Sequence, residues 1–157
     1  MSDEADYKLD TKKLDDIIGM LKGNMYKVRV GILGGKAIRT AKVGQTNASI
    51  GAMHEFGGAT MPMRSFLRVP IAENLEEKIE SSGAFDKDAL AEVVKQKTMI
   101  PWLKKLGVLA EAIVAEAFDT SGFGKWPAWK SKGYKNETGK ILQDTGQLRD
   151  SISSEVK

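Results

Sequence analysis

One helical segment constrains the fold of this chain more than any other part of its sequence. Residues 102–118 carry apolar side chains at helical spacing over about five turns, which is typical of a helix with one broad buried face. This stripe consists of Trp102, Leu103, Leu106, Leu109, Ala110, Ile113, Val114 and Ala117. We predict that it is the core helix, with a joint or kink before it at residues 98–101, where Pro101 interrupts the chain.

Four further segments have the spacing of amphipathic helices. They are residues 11–22, residues 48–56, a helix from Arg68 or Pro70 to Ser81, and a segment that begins after Asp86. N-caps are predicted at Asp10 or Thr11, at Asn47 and at Asp86. The predicted inward residues are Leu14, Ile17, Ile18 and Leu21; Ile50 and Met53, with Phe56 or His54; Ile71, Leu75 and Ile79; and Leu90, Val93 and Val94.

Two segments, one near each end of the chain, are predicted to form β-strands, and a third segment is ambiguous. Residues 26–33 alternate between apolar and charged side chains up to a glycine pair, which indicates a half-buried strand. Residues 38–43 are either a short return strand or a loop. Residues 145–152 predict a turn or short helix before a last strand that contains Ile152 and Val156. The predicted fold is therefore α+β, with a small, mainly antiparallel sheet packed against one long core helix, flanking shorter helices and long interaction loops.

Composition limits the classes of protein to which the chain can belong. Its 157 residues, 41% hydrophobic and 29% charged, predict a single domain over residues 1–157, with a flexible N-terminus at residues 1–10 and a long loop at residues 119–140. No apolar run approaches the roughly 20 residues of a membrane span, and the acidic N-terminus does not resemble a secretory signal, so we expect no membrane partner and a cytoplasmic location. The absence of cysteine excludes disulfides, thiolate nucleophiles and cysteine-bound metals.

His54 and Glu55 are the residues that most suggest catalysis, because histidine is the usual general base and glutamate a common partner. Adjacent helical residues point about 100° apart, however, and the chain has no second histidine to complete a metalloprotease motif. We therefore predict no catalytic residue and no metal site. Instead, we predict that His54, Glu55, Gly57 and Gly58 form a structural turn held by hydrogen bonds.

A glycine-rich segment after the first strand resembles a phosphate-binding loop only superficially. The Walker pattern needs four residues between its glycines and a Ser or Thr after its lysine. Here Gly31 lies too close to Gly35, and Lys36 is followed by Ala37. We expect no nucleotide and no other cofactor.

The segment Trp126-Pro127-Ala128-Trp129 leaves two interpretations open. Tryptophans outside a periodic element either pack back onto their own core or anchor a partner. The lysines of residues 125–140 add an alternative function, a DNA-contacting assembly factor that uses this basic aromatic loop. The net charge of +3, from 24 basic and 21 acidic side chains, does not favour DNA contact.

Taken together, four motif blocks resemble the small bacteriophage and prophage virion-morphogenesis proteins of the neck and tail-completion type. The first two blocks are residues 47–57, which contain His54-Glu55-Phe56-Gly57, and residues 61–68, Met61-Pro62-Met63-Arg64-Ser65-Phe66-Leu67-Arg68. The other two are residues 126–129 and residues 142–152, which contain Thr145-Gly146-Gln147-Leu148-Arg149-Asp150-Ser151-Ile152. The group includes tail terminators, head–tail joining proteins and completion factors.

The resemblance implies a structural virion protein without catalytic residues. Such a protein forms a ring, commonly of six copies, at the head-proximal end of the tail, and its partners are tail-tube and head–tail connector proteins. It would be located in the virion after assembly in the host cytoplasm. A ring requires two different contact faces on each subunit. We predict that the loops supply them, and the candidate interface residues are Met61, Arg64, Phe66, Arg68, Trp126 and Trp129.

Overall fold

The structure is a computed structural model that describes residues 26–38, 44–128, 140–143 and 145–157, together with Lys12, Asp15, Ile18, Gly19 and Lys22. In chain order, the elements are β1 (Val28–Ile32), a 3₁₀ turn (Gly34–Ala37), α1 (Asn47–Phe56), α2 (Arg68–Ser82), α3 (Lys87–Gln96), α4 (Ile100–Asp119), α5 (Gln147–Asp150) and β2 (Ile152–Val156). The predicted α+β class is confirmed, since a two-stranded antiparallel sheet packs against the 20-residue helix α4.

The sheet joins two strands that are far apart in sequence. Within the described residues, β1 pairs only with β2, in a register that places Val28 opposite Val156 and Ile32 opposite Ile152. Val30 and Ile32 pack against the core cluster, of which Ile152 is a buried member. The possible return strand at residues 38–43 lies outside the described residues, except for Ile38.

Helix α4 packs against both strands and supplies more buried apolar residues than any other described element. Ala110, Ile113, Val114 and Ala117 are buried on it, as the apolar stripe predicts. The helix begins at Ile100, so the predicted joint at residues 98–101 is the start of the helix. Pro101 lies in the first turn, where a backbone N–H group would have no partner within the helix, so its absence costs no hydrogen bond. Helix and strand approach closely at Gly107, where an added Cβ would lie 2.5 Å from Ser154 Oγ and 2.8 Å from its Cβ.

Helices α2 and α3 match their predicted bounds closely. Asp86 caps α3, because its side chain accepts a hydrogen bond of 2.8 Å from the N–H of Ala89. The prediction that Leu90 faces inward is wrong, since Leu90 is 53% exposed. α3 meets α4 along Ala89 and Val93, so Leu90, one position after Ala89, points away from the contact.

Helix α1 begins one residue earlier than predicted and has a different cap. Thr46, not Asn47, is the N-cap, and its side chain and that of Ser49 each bond the other residue's backbone N–H at 3.0 Å. Asn47 is buried, and its amide nitrogen donates to the carbonyl oxygens of Lys36 and Ile38, at 3.0 and 3.3 Å. This contact fixes the 3₁₀ turn against α1.

The inward face of α1 also differs from the prediction. Gly51 and Glu55 are buried, whereas Met53 and Phe56 are 44% and 67% exposed. Apolar periodicity favours burial of Met53 and Phe56 over a charged residue, but the hydrogen bonds of the Glu55 carboxylate stabilise it in the buried position.

Two remaining predictions concern the ends of the chain. In the predicted helix at residues 11–22, the described residues are helical and exposed. The prediction that Ile18 faces inward is wrong, since Ile18 is 38% exposed. The rest of that segment, like the predicted flexible residues 1–10, lies outside the described residues. Within the part of the chain that the structure describes, no helix is both long enough and apolar enough to cross a membrane.

The close approach of α4 to β2 predicts a defined response to substitution at Gly107. Alanine is a better helix former than glycine, but its methyl group would overlap Ser154, and such overpacking costs about 1–3 kcal/mol. We therefore expect Gly107→Ala to lower the free energy of unfolding in urea titrations. Adding Ser154→Gly should restore part of the loss, and a single variant more stable than the unaltered chain would contradict this packing.

Candidate functional site

The carboxylate of Glu55 lies at the centre of the motif blocks. Glu55 is buried in the last turn of α1 and points to the start of α2. The hydroxyl of Ser65 donates to Oε1 at 2.6 Å, and the backbone N–H of Arg68 donates to the same oxygen at 3.1 Å. The backbone N–H groups of Phe66 and Leu67 both donate to Oε2 at 3.0 Å.

These four hydrogen bonds define the chemistry that is open to Glu55. The first N–H groups of a helix have no partner within the helix, and its N-terminus carries partial positive charge, so an anion is favoured there. Hydrogen bonds to an ionised acceptor are also stronger than neutral ones. Because both oxygens of Glu55 are occupied, the geometry is that of a structural anion rather than of a general base.

The chain between α1 and α2 forms a tight turn. The N–H of Gly57 donates to the carbonyl oxygen of Met53 at 2.9 Å, and Gly57 has a φ of +70°, which favours glycine. Gly58 and Met61 exchange backbone hydrogen bonds of 2.8 and 3.3 Å. The N–H of Arg64 then donates to the carbonyl oxygen of His54 at 2.8 Å, which returns the chain to α1.

His54 contributes to this turn through its backbone, and its imidazole is partly buried beside it. Among the described residues, Nδ1 of His54 is buried without a hydrogen-bond partner. Burial lowers the pKa of His54, and the positive charge of Arg64 lowers it further. In the part of the chain that the structure describes, no group of three acidic or histidine side chains could hold a metal ion.

Arg64 connects this turn to a distant segment. The side chain is only 2% exposed, and its Nε and one terminal nitrogen donate to the carbonyl oxygens of Pro127 and Ala128, at 3.0 and 3.2 Å. Burial lowers the pKa of Arg64. The guanidinium therefore fixes the segment that follows Trp126 against the segment that leads into α2.

Trp126 packs into the interior of its own chain. Its indole N–H donates to the carbonyl oxygen of Ser65 at 2.9 Å, and its ring meets Phe118 edge to face, with centroids 5.8 Å apart. Phe66 packs on the other side of this cluster, 5.2 Å from the Phe118 ring. Of the two interpretations left open by the sequence, the structure supports packing onto the core for Trp126, whereas Trp129 lies outside the described residues.

The C-terminal motif block belongs to the same cluster. Leu142, Leu148 and Ile152 are buried with Phe66 and Trp126. The side-chain amide of Gln143 donates to the carbonyl oxygen of Phe118 at 2.7 Å. All four motif blocks therefore meet around the end of α4.

This burial corrects part of the predicted interface. Arg64, Phe66 and Trp126 are all less than 10% exposed, because their partners are groups of the same chain, so they are not available at the surface of the folded subunit. Met61 is half-buried, and the side chain of Arg68 is 62% exposed. The sequence does not identify Ser65, Gln143 or the buried side chain of Asn47 as structural hydrogen-bonding residues. Their partners lie elsewhere in the chain, so no local periodicity indicates them.

The basic loop is described only at its two ends. Lys125 pairs with Glu73 at 2.7 Å, and Lys140 pairs with Asp119 at 3.3 Å. Both lysines therefore lie beside acidic groups of their own chain. Lys130, Lys132 and Lys135 lie outside the described residues.

No protein-family model, no curated protein and no solved structure matches this chain. The interpretation of the site therefore depends on its own geometry.

The position of Glu55 predicts a large effect for an isosteric change. In Glu55→Gln, one accepting carboxylate oxygen is replaced by an amide NH₂ group, which faces the same donors and cannot accept from them. Hydrogen bonds to a charged group contribute about 1.5–3 kcal/mol. We expect a comparable fall in the free energy of unfolding, measured by urea titration. Glu76→Gln, at an exposed position of α2, is the matched control and should change stability by less than about 0.5 kcal/mol. Equal effects of the two changes would contradict the anchoring role.

The lowered pKa of His54 predicts a pH dependence of stability. The unfolded chain takes up a proton near the ordinary pKa of about 6.5, whereas the folded chain resists it. Stability should therefore fall as the pH decreases from about 6.5 towards the lower pKa of the folded state. Urea titrations at about pH 7.5 and about pH 5.5 should show a smaller difference in His54→Gln than in the unaltered chain. An unchanged difference would exclude His54 as a contributor.

Proposed function

We propose that this chain is a structural virion protein that assembles as a ring at the head-proximal end of a phage tail, where it terminates the tail, joins it to the head, or both. The observation that carries the proposal is the convergence of the four motif blocks on one core around Glu55, Phe118 and Trp126. Blocks that are separate in sequence act as one structural unit, as expected if the resemblance reflects a shared fold.

The chemistry of the site supports an assembly role over an enzymatic one. Both oxygens of Glu55 accept hydrogen bonds from residues 65–68, where α2 begins, and the guanidinium of Arg64 donates to backbone carbonyl groups. These two charged side chains of the motif blocks therefore serve the fold.

The surface supports the same proposal. Several large apolar side chains of the described residues are more than 40% exposed, and exposed apolar groups that lie together mark interaction sites. They are Ile38, Met53, Phe56, Met63, Phe85, Leu90 and Val108. On this proposal, the partners are further copies of the chain, in a ring of six, and the tail-tube and connector proteins on either side.

The mass and symmetry of the purified protein test the proposal. We expect negative-stain images of the concentrated protein, or of particles that contain it, to show closed rings about as wide as a phage tail, and the mass in solution to correspond to a closed oligomer. A protein that stays monomeric at all concentrations and is absent from particles would contradict the proposal.

The same preparation tests the alternative of a DNA-contacting factor. Phosphate neutralisation by the loop at residues 125–140 would give binding to arbitrary duplex DNA that weakens steeply with salt. We expect no such binding at low salt, since Lys125 and Lys140 already pair with acids of the chain. Tight, salt-sensitive binding by a monomer would favour the alternative.

A further inference from the structure

An apolar projection lies where α1 ends. Met53 and Phe56 are one turn apart on the same side of α1. Met63 packs against Gly57, the residue that follows Phe56. All three side chains are at least 44% exposed. We call Met53, Phe56 and Met63 the apolar knob.

A positive charge accompanies the apolar knob. The guanidinium carbon of Arg68 lies 5.7 Å from the centroid of the Phe56 ring, within the range of a cation–π contact. Its nearest carboxylate oxygen is Oε1 of Glu55, at 3.8 Å, and this oxygen already accepts two shorter hydrogen bonds. The knob therefore presents an aromatic ring together with an exposed cation.

Two open grooves of similar size flank the outer face of α4, and Val108, which is 61% exposed, lines both. The first groove, of about 460 Å³, lies between α4 and the end of α2 and has Lys104 and Lys105 on its rim. The second, of about 450 Å³, lies between α4 and the C-terminal residues and has Glu111 and Asp150 on its rim.

Charge distinguishes the two grooves. Lysines on the first groove would repel Arg68, whereas the acids on the second would attract it. Arg149 also lines the second groove, but it pairs with Asp119 at 2.8 Å. None of the ion pairs among the described residues involves Glu111 or Asp150. The second groove, which we call the acidic groove, is thus the complementary one.

We propose that the apolar knob of one copy inserts into the acidic groove of the next copy, with Phe56 against Val108 and Ala112 and with Arg68 near Glu111. Knob and groove are different surfaces, so the contact is head to tail, and it forms a ring where the rotation between successive copies closes. This inference rests on the proposed ring assembly and names the two faces that form it.

The absence of cysteine allows a direct test by cross-linking. Met53→Cys and Ala112→Cys place single thiols on exposed positions in the apolar knob and in the acidic groove, and both leave Phe56 intact. A short bis-maleimide should join the two variants when they are mixed and should give little product with either alone. A chain that carries both changes should give a ladder of covalent oligomers.

Ser82→Cys provides the matched control, because it places an exposed thiol in the groove that carries the lysines. We expect at least tenfold less product from Met53→Cys with Ser82→Cys than with Ala112→Cys. The assignment of the acidic groove as the contact face would be wrong if the two mixtures gave equal yields. It would also be wrong if the main product joined two Met53→Cys chains.

Loss of the aromatic ring gives an independent readout. We expect Phe56→Ser to weaken self-association at least tenfold without altering the urea unfolding midpoint, because the ring is 67% exposed. Leu90→Ser, at a similarly exposed apolar position on α3, should leave association unchanged.

The outcomes separate this inference from the proposed function. If rings form but thiols at positions 53 and 112 do not cross-link, the assignment of the knob and the groove as the two contact faces is wrong, whereas the proposed ring assembly is unaffected. Failure of the unaltered chain to self-associate would overturn both.

Discussion

The arrangement of the motif blocks depends on one buried negative charge at the start of a helix. A carboxylate removed from water is unfavourable unless donors replace the water, and the opening N–H groups of a helix are otherwise unpaired. Glu55 meets both needs at the N-terminal end of α2, where it accepts hydrogen bonds from the hydroxyl of Ser65 and from the consecutive backbone N–H groups of Phe66, Leu67 and Arg68. Neither α1 nor α2 would hold its present end without the other.

This local pairing determines contacts that are distant in sequence. With Ser65 held by Glu55, the carbonyl oxygen of Ser65 is in position to accept the indole N–H of Trp126, 61 positions later. Arg64, the preceding residue, reaches the carbonyl groups that follow that tryptophan. Phe66, the next residue, is placed on Phe118. Three consecutive residues thus connect the N-terminal end of α2 to the buried core and to the segment around Trp126.

The elements that sequence predicts well are those whose signal is local. The apolar period of α4 and the cap of α3 at Asp86 require no knowledge of the rest of the chain. The cap of α1 is different, because Thr46 and Asn47 are both good cap residues. The contacts of Asn47 with the carbonyl groups of Lys36 and Ile38 determine which one serves, and the sequence around α1 contains no sign of them.

The same limit explains why the predicted interface contains residues that the structure buries. Glycine, proline and lysine around Trp126 indicate a loop, but whether its aromatic ring turns inward depends on acceptors in another segment. Conversely, Met53 and Phe56 are apolar and helical, yet Glu55 takes the buried position between them. The buried residues of the motif blocks therefore specify the interior. Residues that build an interior cannot choose a partner, so the choice must lie with the exposed side chains of the same blocks and of their neighbours, which motif spacing alone does not identify.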